Sequence, residues 1–131
     1  MTILLDTHYV YVLAGAPGRL TKAEEQFLAS YSLPFSVSAV SIWEMRLKWS
    51  MIFRSGQRKG PVSAGHALEA LSRQNIKWMP LSSWHAATLL TTPMEHKDPF
   101  DELLLAQAQS EGLKLLTRDR LLKKHPFTMS V

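Results

Sequence analysis

Four carboxylates raise the chemical question in this sequence: Asp6, Glu44, Asp101 and Asp119. Asp101 lies in HKDPFDELLLAQA, residues 96–108, and shares a helical face with Leu104, Leu105 and Ala108 at offsets of three, four and seven. A carboxylate on a core-facing stripe is costly unless something satisfies it. Glu44 repeats the pattern in AVSIWEMRLKWSM, in line with Val40, Leu47 and Met51. Carboxylates gathered within a few ångströms repel and raise one another's pKa unless a cation neutralises them. An all-oxygen donor set suits Mg²⁺ or Mn²⁺, as one ion or two, which keep several waters and bridge to phosphate. Such a site can activate a water and stabilise the leaving oxygen of a phosphodiester.

Each acid also has an ordinary explanation. Asp98 reads as the N-cap of a helix with Pro99 at its first position, and Asp101 as an acid favoured by the helix dipole. Asp6 can cap the helix that follows it, and Asp119 can be a turn residue. Glu44 can form a capping box with Ser41 or an ion pair with Lys48. Together the acids are harder to dismiss, because they come from four separate elements and two of them interrupt apolar stripes.

Those elements alternate. TILLD reads as a short strand, THYVYVLAG as a helix, TKAEEQFLASYS as a helix closed by Leu33-Pro34, and FSVS as a second strand. AVSIWEMRLKWSMIF is an apolar helix that ends in the loop RSGQRKGP. SAGHALEALSRQ follows as a helix, IKWMPL as a third strand and SSWHAATLLTT as a helix. After the helix of Asp101 come LKLLT, a fourth strand, and FTMSV, a short edge strand. Strands alternating with helices predict an α/β sandwich on a mainly parallel sheet. Ligands of such sheets bind beyond the carboxyl ends of the strands. Asp6 closes TILLD and Asp119 follows LKLLTR, so all four aspartates of the chain are expected on one rim.

Composition bounds the rest. At 131 residues one domain over 1–131 is expected, with 46% hydrophobic residues. No cysteine is present, which excludes a disulfide framework and a thiolate zinc site. MTILLDTHYVYVLAG lacks the basic start of a signal peptide, and no uncharged apolar stretch approaches the ~20 residues of a membrane span. A cytoplasmic protein with no membrane partner is expected. The net charge is +4. Between Met45 and Leu68 lie Arg46, Lys48, Arg54, Arg58 and Lys59 with no acid, and a second basic set surrounds Asp119. Solvated faces and a nucleic-acid surface are both consistent with this distribution.

The motifs LLDTH (4–8), VSAVSIWEMRLK (37–48) and HKDPFDELLLAQAQSEGLKLLTRDR (96–120) resemble those of PIN-domain ribonucleases, specifically VapC-type toxins of toxin–antitoxin pairs. The resemblance spans residue 4 to about 120. It implies a PIN-like three-layer α/β/α sandwich with four to five strands. It implies a metal-dependent endoribonuclease, with Asp6, Glu44, Asp101 and Asp119 as the acidic site and products ending in 5′-phosphate and 3′-hydroxyl. It further implies a homodimer and a VapB-type antitoxin whose C-terminal segment covers the active groove. Two departures are visible: Glu102 stands where relatives often carry a basic residue, and the chain after Asp119 is short and basic.

Other residues are placed around this site as expectations. Asp98, Thr7 and Thr117 are expected to orient ligands or substrate. Lys48, Arg54, Arg58, Lys59, Arg118 and Arg120 are expected to hold an RNA backbone. His96 reads as a loop residue, and Trp43, Trp49, Trp78 and Trp84 as core or interface anchors, with Trp49 the best placed to stack on a base. The rival reading is a catalytically inactive PIN-like module that binds RNA or protein. A phospho-acceptor domain and a DxD phosphatase both need a second acid beside Asp6, and DTH supplies one.

Overall fold

The structure is a computed structural model that describes residues 2–16 and 18–131. Five strands form one sheet: β1 (Ile3–Leu5), β2 (Phe35–Ser38), β3 (Ile76–Met79), β4 (Lys114–Leu116) and β5 (Thr128–Met129). Their spatial order is β3-β2-β1-β4-β5, and every pairing is parallel. The helices are α1 (Thr7–Leu13), α2 (Lys22–Ser30), α3 (Ala39–Ser50), α4 (Ala64–Ser72), α5 (Ser83–Ala87) and α6 (Pro99–Glu111).

Alternation along the strands builds a core on each face of the sheet. Ile3, Leu5, Val37 and Leu116 pack on one side with Tyr9, Val10, Met45 and Leu71. Leu4 and Leu115 point the other way, toward Val40, Leu104, Leu105, Ala108 and Leu122. Strands covered on both faces read as continuous apolar runs, as Ile3–Leu5 does and Leu115-Leu116 does beyond Lys114 at the start of β4. The result is the three-layer α/β/α sandwich of a PIN-like fold.

The chain runs outward from β1 through β2 to β3, then returns to place β4 on the other side of β1. The order reverses between β1 and β4, and a crevice opens at their carboxyl ends. Local signals fix the helices that border it. Asp98 Oδ1 accepts from the backbone N–H groups of Phe100 (2.9 Å) and Asp101 (3.2 Å), with Pro99 at the first position of α6. Gly112, at φ +68°, ends α6 in the left-handed conformation that glycine adopts most easily.

Two sequence expectations shift. Helix α3 stops at Ser50, so Met51 leaves the stripe assigned to it and is 44% exposed. The buried face of α3 is Val40, Ser41, Glu44 and Met45. Residues 51–59 turn back as a hairpin, with Ile52 bridged to Arg58 in antiparallel fashion. Trp43, Trp78 and Trp84 stand outside the core, Trp84 at 81% exposure.

Candidate active site

A cavity of about 450 Å³ occupies the crevice. Asp6, Glu44, Asp101 and Asp119 all line it, together with Asp98 and Thr7. Four elements deliver the four acids: the end of β1, the inner face of α3, the first turn of α6 and the loop after β4.

Each acid is held by neighbours. Asp6 occupies the N-cap position of α1 but makes no side-chain capping hydrogen bond. Its Oδ2 accepts instead from Thr117 Oγ1 at 2.7 Å. Thr117 is fully buried, and the same hydroxyl oxygen accepts the Asp119 N–H at 3.1 Å. Asp119 Oδ1 in turn accepts from the Leu121 N–H at 2.9 Å, which makes it a turn residue as well as a cavity residue. Glu44 Oε1 accepts from Thr7 Oγ1 at 2.8 Å, and Thr7 also meets Ser41 Oγ at 3.0 Å. The cap of α3 is Ser38 rather than Ser41. Ser38 Oγ accepts the Val40 N–H and donates to Gln107 Oε1 at 2.5 Å, tying the helix of Glu44 to the helix of Asp101.

The electrostatics converge on Asp101. Burial pushes its pKa up, and the charges of Asp6, Asp98, Glu44 and Asp119 add to this, to about 7. Burial also raises Asp6 against the lowering hydrogen bond from Thr117, with Glu44 pushing upward. Both cations on the cavity wall are already paired. Lys48 Nζ is hydrogen-bonded to Glu44 Oε2, the ion pair expected from their spacing. Burial opposes the Lys48 charge, yet its pKa lies above the ordinary value because the Glu44 hydrogen bond and charge outweigh that. Arg118 donates to both carboxylate oxygens of Glu24, from Nη2 at 2.5 Å and Nε at 3.2 Å. Tyr9 Oη donates to the same Glu24 at 2.5 Å.

Sequence reasoning missed two cavity residues, and it read His96, which lies beside two of the acids, as a loop residue. Among the described residues, the buried side-chain polar atoms without a hydrogen-bond partner are His8 Nε2, Tyr11 Oη and His96 Nε2. His8 and Tyr11 line the cavity. His96 Nε2 lies 3.5 Å from Asp101 Oδ2 and 3.5 Å from Asp119 Oδ2. Its ligand atom and those of the two aspartates all lie within 4.8 Å of one another. The signal for His96 was its position two residues before the cap Asp98, whose N–H it accepts at Nδ1 (3.3 Å). His8 and Tyr11 carry no such sequence signal; α1 turns them to the cavity.

Buried polar atoms without partners are rare and call for a guest or a role. Three of them around an oxygen-rich, mutually repelling cluster fit a hydrated divalent cation, whose charge relieves the carboxylates and whose waters supply partners. The expected RNA-contacting residues are spread more widely. Lys48 and Arg118 line the cavity, whereas Arg54, Arg58, Lys59 and Arg120 are exposed outside it. Arg58 is tied to Trp49, with Nη1 donating to its carbonyl at 2.6 Å and the guanidinium 4.4 Å from the ring centroid.

Comparison with known proteins agrees with this geometry. Residues 3–127 match the PIN domain family. Ribonuclease VapC22 of Mycobacterium tuberculosis is 31% identical over 125 residues, covering 95% of this chain and 92% of the relative. Among solved structures, a toxin–antitoxin complex from Klebsiella pneumoniae contains a chain with TM-score 0.63 and 22% identity, covering 97% of this chain and 95% of that one. The VapBC2 complex of Rickettsia felis, bound to a DNA fragment from its promoter, gives TM-score 0.58 at 14% identity over 100% and 98% of the two chains. A parallel sheet with its acids at the switch point, matched over nearly its full length to a PIN relative, leads to one assignment: this chain belongs to the PIN domain family, among its VapC-type members.

Proposed function

We propose that the chain is a Mg²⁺- or Mn²⁺-dependent endoribonuclease and the toxin of a toxin–antitoxin pair. The observation that carries this reading is the convergence of Asp6, Glu44, Asp101 and Asp119 on one cavity, with Asp101 raised to about 7 by burial and the other carboxylates. The 31% identity to a protein named as a ribonuclease supports the activity, and structural neighbours that are toxin–antitoxin complexes support an antitoxin partner.

In this reading Asp6, Asp101 and Asp119 hold one or two ions, and Glu44 does so directly or through water. A bound divalent ion supplies a water of lowered pKa and polarisation of a phosphodiester oxygen. The chain's own residues prepare the site for it. Thr117 and Thr7 fix the carboxylates of Asp6 and Glu44, and Asp98 fixes the start of α6, so the donors are oriented before any ligand arrives. Lys48 neutralises Glu44 in the resting protein. Glu24 anchors Arg118 and with it the loop of Asp119. Basic side chains outside the cavity hold the RNA backbone, and a homodimer with a VapB-type antitoxin completes the assembly.

The test is cleavage of a structured RNA by purified, antitoxin-free protein with Mn²⁺ or Mg²⁺, with chelator, and by the Asp101→Asn variant. Cleavage that requires metal and vanishes in the folded variant supports the reading. Equal inertness of wild type and variant, with thermal stability indifferent to metal, favours a binding module instead.

A further inference from the structure

We infer that the hairpin of residues 51–59 is a docking arm for unpaired RNA, with Phe53 as the platform on which a base stacks. The inference rests on the ribonuclease reading and specifies where its substrate is held.

The arm is built to project. The Lys59 N–H donates to the Met51 carbonyl (2.8 Å), and the Phe53 N–H to the Gln57 carbonyl (2.7 Å). Arg54, Ser55 and Gly56 form a three-residue tip, with Gly56 at φ +86° in the position where this turn takes a left-handed residue. All nine residues are exposed. Three successive apolar side chains stand in solvent, Met51 at 44%, Ile52 at 60% and Phe53 at 51%. A two-stranded hairpin is marginal by itself. This one is braced by Arg58 on Trp49 and by Gly60, whose N–H donates to the Lys48 carbonyl at 3.0 Å.

That brace sets the arm at the rim of the acidic cavity. Lys48 and Tyr11 both line the cavity, and a Cβ on Gly60 would come within 3.1 Å of the Tyr11 hydroxyl. A side chain here would crowd the Trp49 and Lys48 backbone as well, so the base of the arm packs closely on the cavity wall. An acid-lined cavity repels a polyanion, and its own two cations, Lys48 and Arg118, are bound to Glu44 and Glu24. The arm offers what the cavity lacks. Arg54 and Lys59 make no ion pair among the described residues, and no acid occurs from Met45 to Leu68.

The chemistry selects the occupant. Lys59 Nζ lies 5.5 Å from the Phe53 ring centroid, leaving an exposed aromatic beside a cation. That pair suits a nucleobase with its phosphate, since every base has a face to stack and a duplex hides it. Trp49, the aromatic singled out by sequence, is half-buried, and Arg58 is fixed closer over its ring (4.4 Å) by the hydrogen bond to the Trp49 carbonyl, whereas Phe53 is exposed and its Lys59 neighbour stands farther off.

The test is fluorescence anisotropy with a labelled, unstructured RNA oligonucleotide and the same sequence as a duplex. Asp101→Asn protein serves as the non-cleaving parent. The parent is expected to prefer the single strand. Adding Phe53→Ala should weaken single-strand binding by about ten-fold or more, while Phe53→Tyr keeps it. Adding Arg54→Ala should lower the salt slope by about one. Unchanged melting temperatures are expected, since these side chains are exposed. Equal binding by the parent and its Phe53→Ala derivative overturns the inference and leaves the ribonuclease reading intact. Loss of self-association in that derivative, with RNA binding unchanged, also overturns it and assigns the arm to a protein interface. A parent that binds no RNA at low salt overturns the docking arm, while the ribonuclease reading is decided by the cleavage assay on wild type.

Discussion

Thr117 Oγ1 donates to Asp6 Oδ2 at 2.7 Å, joining two residues 111 positions apart across the point where the strand order reverses. The same oxygen accepts the Asp119 N–H, so one buried hydroxyl just beyond β4 orients two cavity acids. Thr117→Val keeps the shape but removes donor and acceptor. Supporting groups of this kind are worth about 10–100-fold in metal affinity. The variant is expected to stay folded and bind Mn²⁺ weaker by that factor in calorimetry; an unchanged affinity would show that Asp6 needs no such support.

Asp101 gives the metal-free protein a pH dependence of definite sign. Its folded pKa of about 7 lies above the ordinary 3.8, so the folded chain binds the proton more tightly than the unfolded chain. The associated stability is fully present below the unfolded pKa and is lost as pH rises through about 7. Asp6 is shifted in the same direction. In chelator, the melting temperature should therefore fall as pH rises from about 4 to 7, and saturating Mn²⁺ should flatten that fall. A metal-free melting temperature that rises steadily over this window contradicts the repulsion among the acids.

Glu24 acts with the opposite sign. Burial alone would raise its pKa, but the hydrogen bonds from Arg118, Thr21 and Tyr9 bring it down to about 2. Its contribution is present above the ordinary 4.5 and is lost as pH falls through about 2, outside the window of Asp101. Glu24→Gln leaves Arg118 and the buried Tyr9 hydroxyl without their charged acceptor. A loss of about 1.5–3 kcal/mol in urea unfolding is expected, the range for hydrogen bonds to charged groups.

Lys48 competes with a cation for Glu44. Its ammonium is bound to Glu44 Oε2 and faces the cavity that would receive the metal. Lys48→Met keeps much of the side chain's bulk and removes the charge. Mn²⁺ binding should tighten several-fold at low salt, since removing a unit charge about 4 Å away is worth about 1 kcal/mol even at the dielectric of water. Weaker binding would mean that Lys48 serves the site rather than competing with it.

Much of this was legible in the sequence, because its signals are local. Asp98-Pro99 and Gly112 mark the two ends of α6, and the apolar runs Ile3–Leu5 and Leu115-Leu116 mark strands covered on both faces. The stripe Leu104, Leu105, Ala108 is buried as its spacing predicts, with Asp101 at its head. The stripe drawn through Glu44 was one turn too long. The apolar Met51, Ile52 and Phe53 extend the helical pattern in sequence, but backbone pairing with residues 57–59 takes them into the hairpin. His8 and Tyr11 as cavity residues, and His96 as the neighbour of Asp101 and Asp119, were not legible because their surroundings are assembled by packing. Arg118 is another case: Glu24, 94 positions away, already holds it.

The measurement that bears most directly on the account is a calorimetric titration of Mn²⁺ into chelator-stripped wild type and into Asp101→Asn at neutral pH. The account predicts binding by wild type accompanied by proton release, since Asp101 is partly protonated near its pKa of about 7. It predicts that the folded variant loses most of that affinity and the proton release with it. Indistinguishable titrations of the two proteins, or no binding by either, would contradict the claim that these four acids form a cation site.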